Sequence, residues 1–387
     1  MGLGYIGLPT AALIASKGIQ VLGVDVQQSV VDTINNGKIH IVEPDLDGIV
    51  KHDVDRGYLK ASITADKADV FLIAVPTPFK GNNHEPDLKY VESATRMILP
   101  HLEEGNLFII ESTSPVGTTE KMAHLIFSER PELEGKIHIA YCPERVLPGN
   151  VIYELKNNDR AIGGIDDAST QKACDFYRLF VTGELHQTNA RTAEMCKLVE
   201  NSSRDVQIAF ANELSMICDE ANIDVWELIN LANKHPRVNI LQPGTGVGGH
   251  CIAVDPWFIV SAFKEKAKII RTAREINNYK TEWVIEKIKN KALEFELNEG
   301  RKPIIACFGL AFKPNIDDLR ESPALYVVQS LIRQGFEVLA VEPNVKSSDG
   351  IKLYSTQEAI DKMNLGFKLV NHSSFYDLPP SVIPFVK

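Results

Sequence analysis

The feature that most constrains this chain stands at its start. Gly2-Leu3-Gly4-Tyr5-Ile6-Gly7, a G-x-G-x-x-G, runs into an apolar helical stretch and then a β-rich run, Val21–Val24, that ends in Asp25. Glycines at those spacings permit a tight turn and let backbone approach a pyrophosphate, while the following helix turns its N-terminal dipole to the anion. Asp25 lies about 18 residues past Gly7, where an acid accepts from the ribose hydroxyls. A carboxylate there repels a 2′-phosphate, so the pattern points to NAD rather than NADP. The fingerprint should follow a buried strand, yet only Met1 precedes Gly2. The expectation is a dinucleotide fold whose first and central strand is absent, with ladder groups exposed on both neighbours.

Downstream the α/β alternation continues. Gln20–Asp25, Val70–Val75, Leu107–Glu111 and Ile137–Tyr141 read as strands, and ligands in open α/β sheets sit outside the carboxyl ends of such strands. Asp25, Pro76–Thr77, Ser112–Thr113 and Cys142–Glu144 are therefore expected on one rim. From Asn189 to Asn222 the apolar residues fall at helical spacings with no proline inside, predicting one long helix. Glycines and prolines then cluster over 242–256, helical character returns from Phe258 to Leu297, and Asn298–Pro303 reads as a boundary. Beyond it a strand (Ile304–Gly309), a helix (Pro323–Gln334) and a strand (Glu337–Val341) predict a second α/β domain. The fold class is α/β, with two Rossmann-like doubly wound domains joined by the long helix and a helical dimerisation domain. The expected domains are 1–188, 189–297 and 298–387.

Three further constellations carry chemistry. Gly246-Val247-Gly248-Gly249-His250-Cys251 leads to Asp255. A cysteine is more often a buried small hydrophobe than a nucleophile. Here the glycines free backbone amides to converge on a bound group and to favour the thiolate. His250 reads equally well as a loop-packing residue. Asp255 reads as a helix cap, or as a group that orients a lysine or a water. Lys197, Asn201 and Arg204, four and three apart, share one face of the long helix, although Glu194 and Glu200 are placed to pair with those cations. Finally Gly309-Leu310-Ala311-Phe312-Lys313-Pro314, with Asp317, Asp318, Arg320 and Glu321, follows a strand. Its cations suit a diphosphate, while the same loop reads as the cap of the Pro323 helix.

A formal charge of −10 argues against a nucleic acid or an anionic membrane as partner, and no apolar run reaches the length of a membrane span. The six cysteines contain no C-x-x-C pair, which suggests neither a zinc site nor a disulfide framework; a reducing cytoplasm fits.

Together these motifs resemble the UDP-glucose/GDP-mannose dehydrogenase family, and the match runs nearly the whole chain. Gly-Leu-Gly-Tyr-Ile-Gly-Leu-Pro at 2–9, Pro-Thr-Pro at 76–78, Ser-Thr-Ser-Pro-Val-Gly-Thr-Thr at 112–119 and Pro-Glu-Arg-Val-Leu-Pro-Gly at 143–149 are similar to its cofactor-domain motifs. Glu-Met-Cys-Lys-Leu-Val-Glu-Asn at 194–201, the Cys251 loop and Phe-Lys-Pro at 312–314 are similar to its substrate motifs. The wording Gly-Gly-His-Cys-Ile-Ala-Val-Asp-Pro-Trp-Phe at 248–258 is most similar to the UDP-N-acetyl-D-mannosamine dehydrogenase branch, and His235 and Arg237 fit it too. The match fades after Val370-Asn371-His372.

The resemblance implies a four-electron oxidation of a UDP-N-acetylhexosamine at C6, with NAD as cofactor, toward a surface-polysaccharide precursor. Cys251 would carry the thiohemiacetal and thioester. Lys197 and Asn201 would steady the oxyanion, Asp255 would hold the lysine or water, and Glu144 and Thr113 would place the hydrolytic water. NAD would meet Gly2, Gly4, Tyr5, Ile6, Gly7, Asp25, Thr77, Thr113 and Arg320. The substrate would meet Arg145, Val146, Lys197, Asn201, Arg204, His235, Arg237, Gly248, Phe312 and Lys313. No metal is implied. A homodimer through the long helix is expected.

Three alternatives stay open on the residues: UDP-N-acetylglucosamine or UDP-glucose as substrate, a two-electron dehydrogenase in which Cys251 is structural, and a non-catalytic chain that binds UDP-sugar without NAD.

Overall fold

A computed structural model describes residues 1–81, 84–146, 149–249, 251–348 and 350–386. The chain divides into two compact units, Met1–Val199 and Glu200–Lys387.

The first unit is built on a five-stranded sheet. Its order is Val70–Ile73, Leu107–Ile110, His138–Tyr141, Arg160–Gly164, Leu185–Asn189, parallel except for the His138–Tyr141 and Arg160–Gly164 pair. The two central strands of that row are apolar throughout, as strands covered on both faces must be. Phe108 and Ile110 pack into one apolar layer with Ile126 and Ile139, whereas Leu107 and Ile109 pack into the other with Leu155 and Ile162. Val21–Val24 and Leu59–Ser62 form a separate parallel pair.

Between the two sheets lies the place of the expected missing strand, and the structure modifies that expectation. Met1 N–H donates to Leu72 O, Ala74 N–H donates to Met1 O, and Gly2 N–H donates to Val24 O, each at 2.8 Å. Met1 and Gly2 thus satisfy ladder groups on both neighbours at the end of the sheet where ligands sit, and the fingerprint loop is tied to both pieces.

The long helix runs Ala190–Glu220, close to the expected span, and crosses from one unit into the other. In the second unit the expected helix from Phe258 to Leu297 is two helices, Asp255–Phe263 and Lys268–Glu299, broken where Lys264 adopts φ +38°. No glycine or proline marks that break, so periodicity alone read through it. The second helix stops at Gly300, whose φ of +65° is the left-handed cap that glycine adopts at no steric cost. The sheet of this unit is parallel, ordered Glu337–Val341, Ile304–Phe308, Leu365–Lys368, Val382–Pro384. Helix Pro323–Arg333 is capped by the Ser322 hydroxyl and packs Val327, Val328 and Leu331 with Val284 and Ile288 of the 268–299 helix. Among the described residues no helix is long and apolar enough to cross a membrane.

Candidate active site

The fingerprint glycines divide their labour. Gly2 has φ +84°, and a Cβ there would stand 2.6 Å from Ala74 O; one on Gly7 would stand 1.8 Å from Gly2 O. Both positions exclude any side chain because backbone passes too close. At Gly4 nothing lies within 4 Å of such a Cβ, so open space there can take a ligand. Helix Gly7–Ala15 has no side-chain cap at Ile6 and no acid in its first turn, which leaves its dipole for an anion. Asp25 Oδ2 accepts from Leu3 N–H at 2.9 Å and Oδ1 from Gln27 N–H at 3.0 Å. A carboxylate has about four acceptor sites, so two bonds hold Asp25 still and capacity is left for ribose hydroxyls. These residues fit NAD. Tyr5 is exposed and Ile6 half-buried beside them.

The rim gathers as expected. Thr77 Oγ1 donates to Thr113 O at 2.6 Å, and Ser112 Oγ donates to Val75 O at 2.7 Å, which lashes the loops after two adjacent strands together. Glu144 is buried, and among the described residues its Oε1 has no hydrogen-bond partner. Burial pushes its carboxyl up to about 7, against the pull of Lys197 and then Arg160. Arg145 and Val146, next in chain, are half-buried. An acid poised near neutrality suits proton transfer to and from water.

Glu194 does not pair with Lys197. Fully buried, it accepts from Gly117 N–H, Thr119 N–H and Thr119 Oγ1 at 2.6–2.7 Å. It therefore caps helix Thr118–Glu129, with Gly117 at φ +94° making the turn, and fixes the 112–119 loop to the helix turn that carries Lys197.

Beneath Glu144 lies a buried cluster that no motif announced. Tyr177 OH donates to Glu111 Oε1 at 2.7 Å, Arg160 stands 3.8 Å from the same oxygen and 3.8 Å from Cys142 Sγ, and its guanidinium lies 5.0 Å from the Tyr177 ring centre. Burial holds the Cys142 thiol up at about 11, so it stays protonated and inert. The members come from four separate elements, and only the tertiary fold joins them.

In the second unit Cys251 is half-buried and its carbonyl accepts from Val254 and Asp255 N–H, 3.0 and 2.8 Å, which sets it one turn ahead of helix Asp255–Phe263. A helix N-terminus favours a thiolate. All six cysteines are thiols. Asp255 is not the cap: Val254 holds that position, and Asp255 Oδ2, in the first turn, accepts from Asn201 Nδ2. The preceding glycines also act otherwise than expected. A Cβ on Gly248 would lie 2.5 Å from Glu321 O and 2.7 Å from Phe312 Cβ, and one on Gly249 would lie 2.9 Å from the Phe312 ring. Gly249 N–H donates to Arg320 O at 3.2 Å. They let the Cys251 loop lie flush on the 309–322 loop and do not fan their amides toward a ligand. His250 lies outside the described residues.

Lys313 and Arg204 are exposed, as are His235 and Arg237 in the loop after helix Val225–Ala232. The Arg320 guanidinium is forked onto Asp318 of its own loop.

Comparison with known proteins agrees along the whole length. Residues 1–181 match the NAD binding domain of the UDP-glucose/GDP-mannose dehydrogenase family, 191–279 its central domain and 306–384 its UDP binding domain. The UDP-N-acetyl-D-mannosamine dehydrogenase of Escherichia coli (strain K12) is 56% identical over 392 residues, 97% of this chain and 93% of that protein. The NDP-N-acetyl-D-galactosaminuronic acid dehydrogenase of Ralstonia nicotianae is 54% identical over 391 residues, 98% and 91%. The solved UDP-D-ManNAc dehydrogenase of Pyrococcus horikoshii superposes with a TM-score of 0.89 at 40% identity, covering 98% of this chain and 92% of that one.

Proposed function

This chain belongs to the UDP-glucose/GDP-mannose dehydrogenase family, and on that premise we propose that it oxidises UDP-N-acetyl-D-mannosamine at C6 to the mannosaminuronate, a precursor for surface polysaccharide. It is an NAD-dependent UDP-sugar dehydrogenase. The observation that carries the four-electron reading is the half-buried Cys251 thiol at the entry to a helix, followed by an aspartate already engaged by Asn201.

NAD, held by Gly2, Gly4, Tyr5, Ile6, Gly7, Asp25, Thr77 and Thr113, with Arg320 as the contribution of the last domain, supplies the two-electron acceptor for each oxidation. The rest is done by this chain. Lys197, or a water held by it, takes the proton of the C6 hydroxyl. The Cys251 thiolate adds to the aldehyde carbon, forming a C–S bond, and the oxyanion of this thiohemiacetal is steadied by Lys197 and Asn201. The tetrahedral adduct holds the intermediate and readies the second oxidation, which leaves a thioester. Glu144 takes a proton from water positioned with Thr113, and attack on the thioester expels the Cys251 thiolate. Asp255 keeps Asn201 oriented throughout. Lys313, Arg204 and Arg237 neutralise the diphosphate and sugar substituents, with Arg145, Val146, His235, Gly248 and Phe312 shaping the pocket.

Phe210 and Ile217, seven residues apart on the long helix, are 57% and 55% exposed. That spacing puts both on one face, and we assign the face to a second copy of the chain; a monomeric mass at micromolar concentration would remove this part of the reading. A reducing cytoplasm, where Cys251 stays a thiol, is the setting.

The test is a panel of UDP-N-acetyl-D-mannosamine, its glucosamine epimer and UDP-glucose with NAD, following NADH and acid together. Two NADH per uronate, with the mannosamine substrate preferred, is expected. One NADH per sugar with a released aldehyde refutes the thioester route, and preference for another sugar refutes the substrate.

A further inference from the structure

The second unit repeats, around a different loop, the device that steadies the NAD fingerprint. In the first unit Gly2, at φ +84°, donates to Val24 O at 2.8 Å, and the acid after that strand, Asp25, accepts from the loop amide of Leu3 and from its own i+2 amide, Gln27. In the second, Gly309, at φ +95°, donates to Val341 O at 2.8 Å. The acid after that strand, Glu342, accepts from the loop amides of Leu310 and Ala311 at 2.7 and 2.9 Å and from its i+2 amide, Asn344, at 3.0 Å.

The two sites differ in what takes the acid's remaining capacity. Asp25 is half-buried, with acceptor sites to spare; Glu342 and His372 are almost wholly buried, and His372 Nε2 lies 3.0 Å from Glu342 Oε2. The backbone N–H of Asn315 can only donate, and it points at His372 Nδ1 at 2.9 Å. Nδ1 is therefore an acceptor, the imidazole is neutral, and Nε2 carries the proton that goes to Glu342. The Asn344 side chain makes a second contact to Nδ1 at 3.0 Å, and Asn315 Oδ1 accepts from Ser373 N–H at 2.8 Å. One buried pair thus grips the 309–315 loop at both ends, at Leu310 and Ala311 through Glu342 and at Asn315 through His372. Phe312 and Lys313 lie between the grips. The Phe312 ring is also the surface on which Gly249, two residues before Cys251, is seated.

We propose that His372, through Glu342 and Asn315, is a positioning residue for the uridine diphosphate: it holds the loop so that Lys313 meets the diphosphate and Phe312 supports the Cys251 loop. This rests on the reading of Lys313 as a diphosphate contact. An acid that reads a ribose in one βαβ unit is, in the other, closed off by a histidine and used to set a loop.

The experiment is calorimetric titration of the full chain with UDP and, separately, with NAD, for the parent, Lys313→Ala, His372→Ala, His372→Asn and Asn344→Ala. Asparagine keeps an acceptor at the Nδ1 position. Expected for His372→Ala is a loss of UDP affinity on the order of tenfold with NAD affinity unchanged, since a loop misplaced by about an ångström costs at least that. His372→Asn should recover most of it. Asn344→Ala, an exposed change that leaves the core intact, should weaken UDP about threefold, the loss of one hydrogen bond. Should His372→Ala fail to fold, the asparagine and Asn344 variants carry the comparison. If UDP binding is sensitive to Lys313→Ala but indifferent to both His372 and Asn344, the proposal is overturned while the reading of the loop stands. If the parent does not bind UDP, or Lys313→Ala changes nothing, the reading of the loop fails and takes the proposal with it.

Discussion

Glu144→Gln removes a charge that the fold resists and a base that hydrolysis needs, so it should trade activity for stability. The carboxyl is carried from an ordinary 4.5 to about 7, a displacement worth about 3 kcal/mol at roughly 1.36 kcal/mol per unit. The folded chain holds its proton more tightly than the unfolded one. Between about 4.5 and 7 the native state therefore carries the extra proton, stability falls as pH rises through that window, and above 7 the full penalty is present. Glutamine fills the same space with no charge. Near pH 4 the variant and parent should unfold alike. At pH 8 the unit Met1–Val199 should be more stable in the variant by about 3 kcal/mol, which for a unit of that size raises its melting midpoint by roughly 6–12 °C. Calorimetric scans of both proteins at pH 4, 6 and 8 measure the gap and its pH dependence together. Turnover should move the other way: loss of a general base slows acid release by about 10²–10⁴-fold, the limb of the pH–rate profile that rises toward neutrality should vanish, and thioester on Cys251 should accumulate. A stability gap that does not change between pH 4 and pH 8 would refute the reasoning, because it would mean that burial has not displaced this carboxyl.

Cys251→Ala should abolish uronate formation yet bind UDP-sugar with an affinity within about twofold of the parent, because it deletes one small side chain outside the diphosphate contacts; calorimetry with product analysis reads both, and acid formed at the parent rate would dismiss the nucleophile. Gly248→Ala places a Cβ 2.5 Å from Glu321 O and should cost about 1–3 kcal/mol, read as a lower denaturation midpoint together with slower alkylation of Cys251 by iodoacetamide; an unchanged midpoint argues that the two loops do not touch as described. Asp205→Ala leaves Arg274, 2% exposed and bonded to Asp205 Oδ1 at 2.6 Å, without its counter-charge, and should cost about 3–5 kcal/mol in urea unfolding. A loss under 1 kcal/mol would mean that water reaches the guanidinium.

Much of the architecture was legible because it rests on local rules. The fingerprint and Asp25 announced a dinucleotide turn, and uninterrupted helical spacing announced Ala190–Glu220 within two residues at each end. The break at Lys264 was not legible, since nothing in its composition disfavours helix and a positive φ at lysine is imposed by packing on either side. Glu194 was misread for a related reason: helical spacing placed it beside Lys197, but its carboxylate gains three donors by reaching a loop some 75 residues away, more than one exposed ion pair offers.

What the sequence by itself determined is the repertoire: a glycine turn for a pyrophosphate, a cysteine after three glycines, a lysine and an asparagine four apart on a helix. Each of these is set by neighbours a few residues away, where spacing and geometry are nearly the same thing. The tertiary structure alone decided how those groups are held and charged. Glu144 titrates near neutrality because of how deeply it is buried, the glycines before Cys251 are needed because Phe312 and Glu321 press on them, and His372 is neutral because an amide 57 residues earlier points at its ring. Burial and long-range hydrogen bonding depend on which distant segments share a volume, a quantity that short-range spacing does not encode.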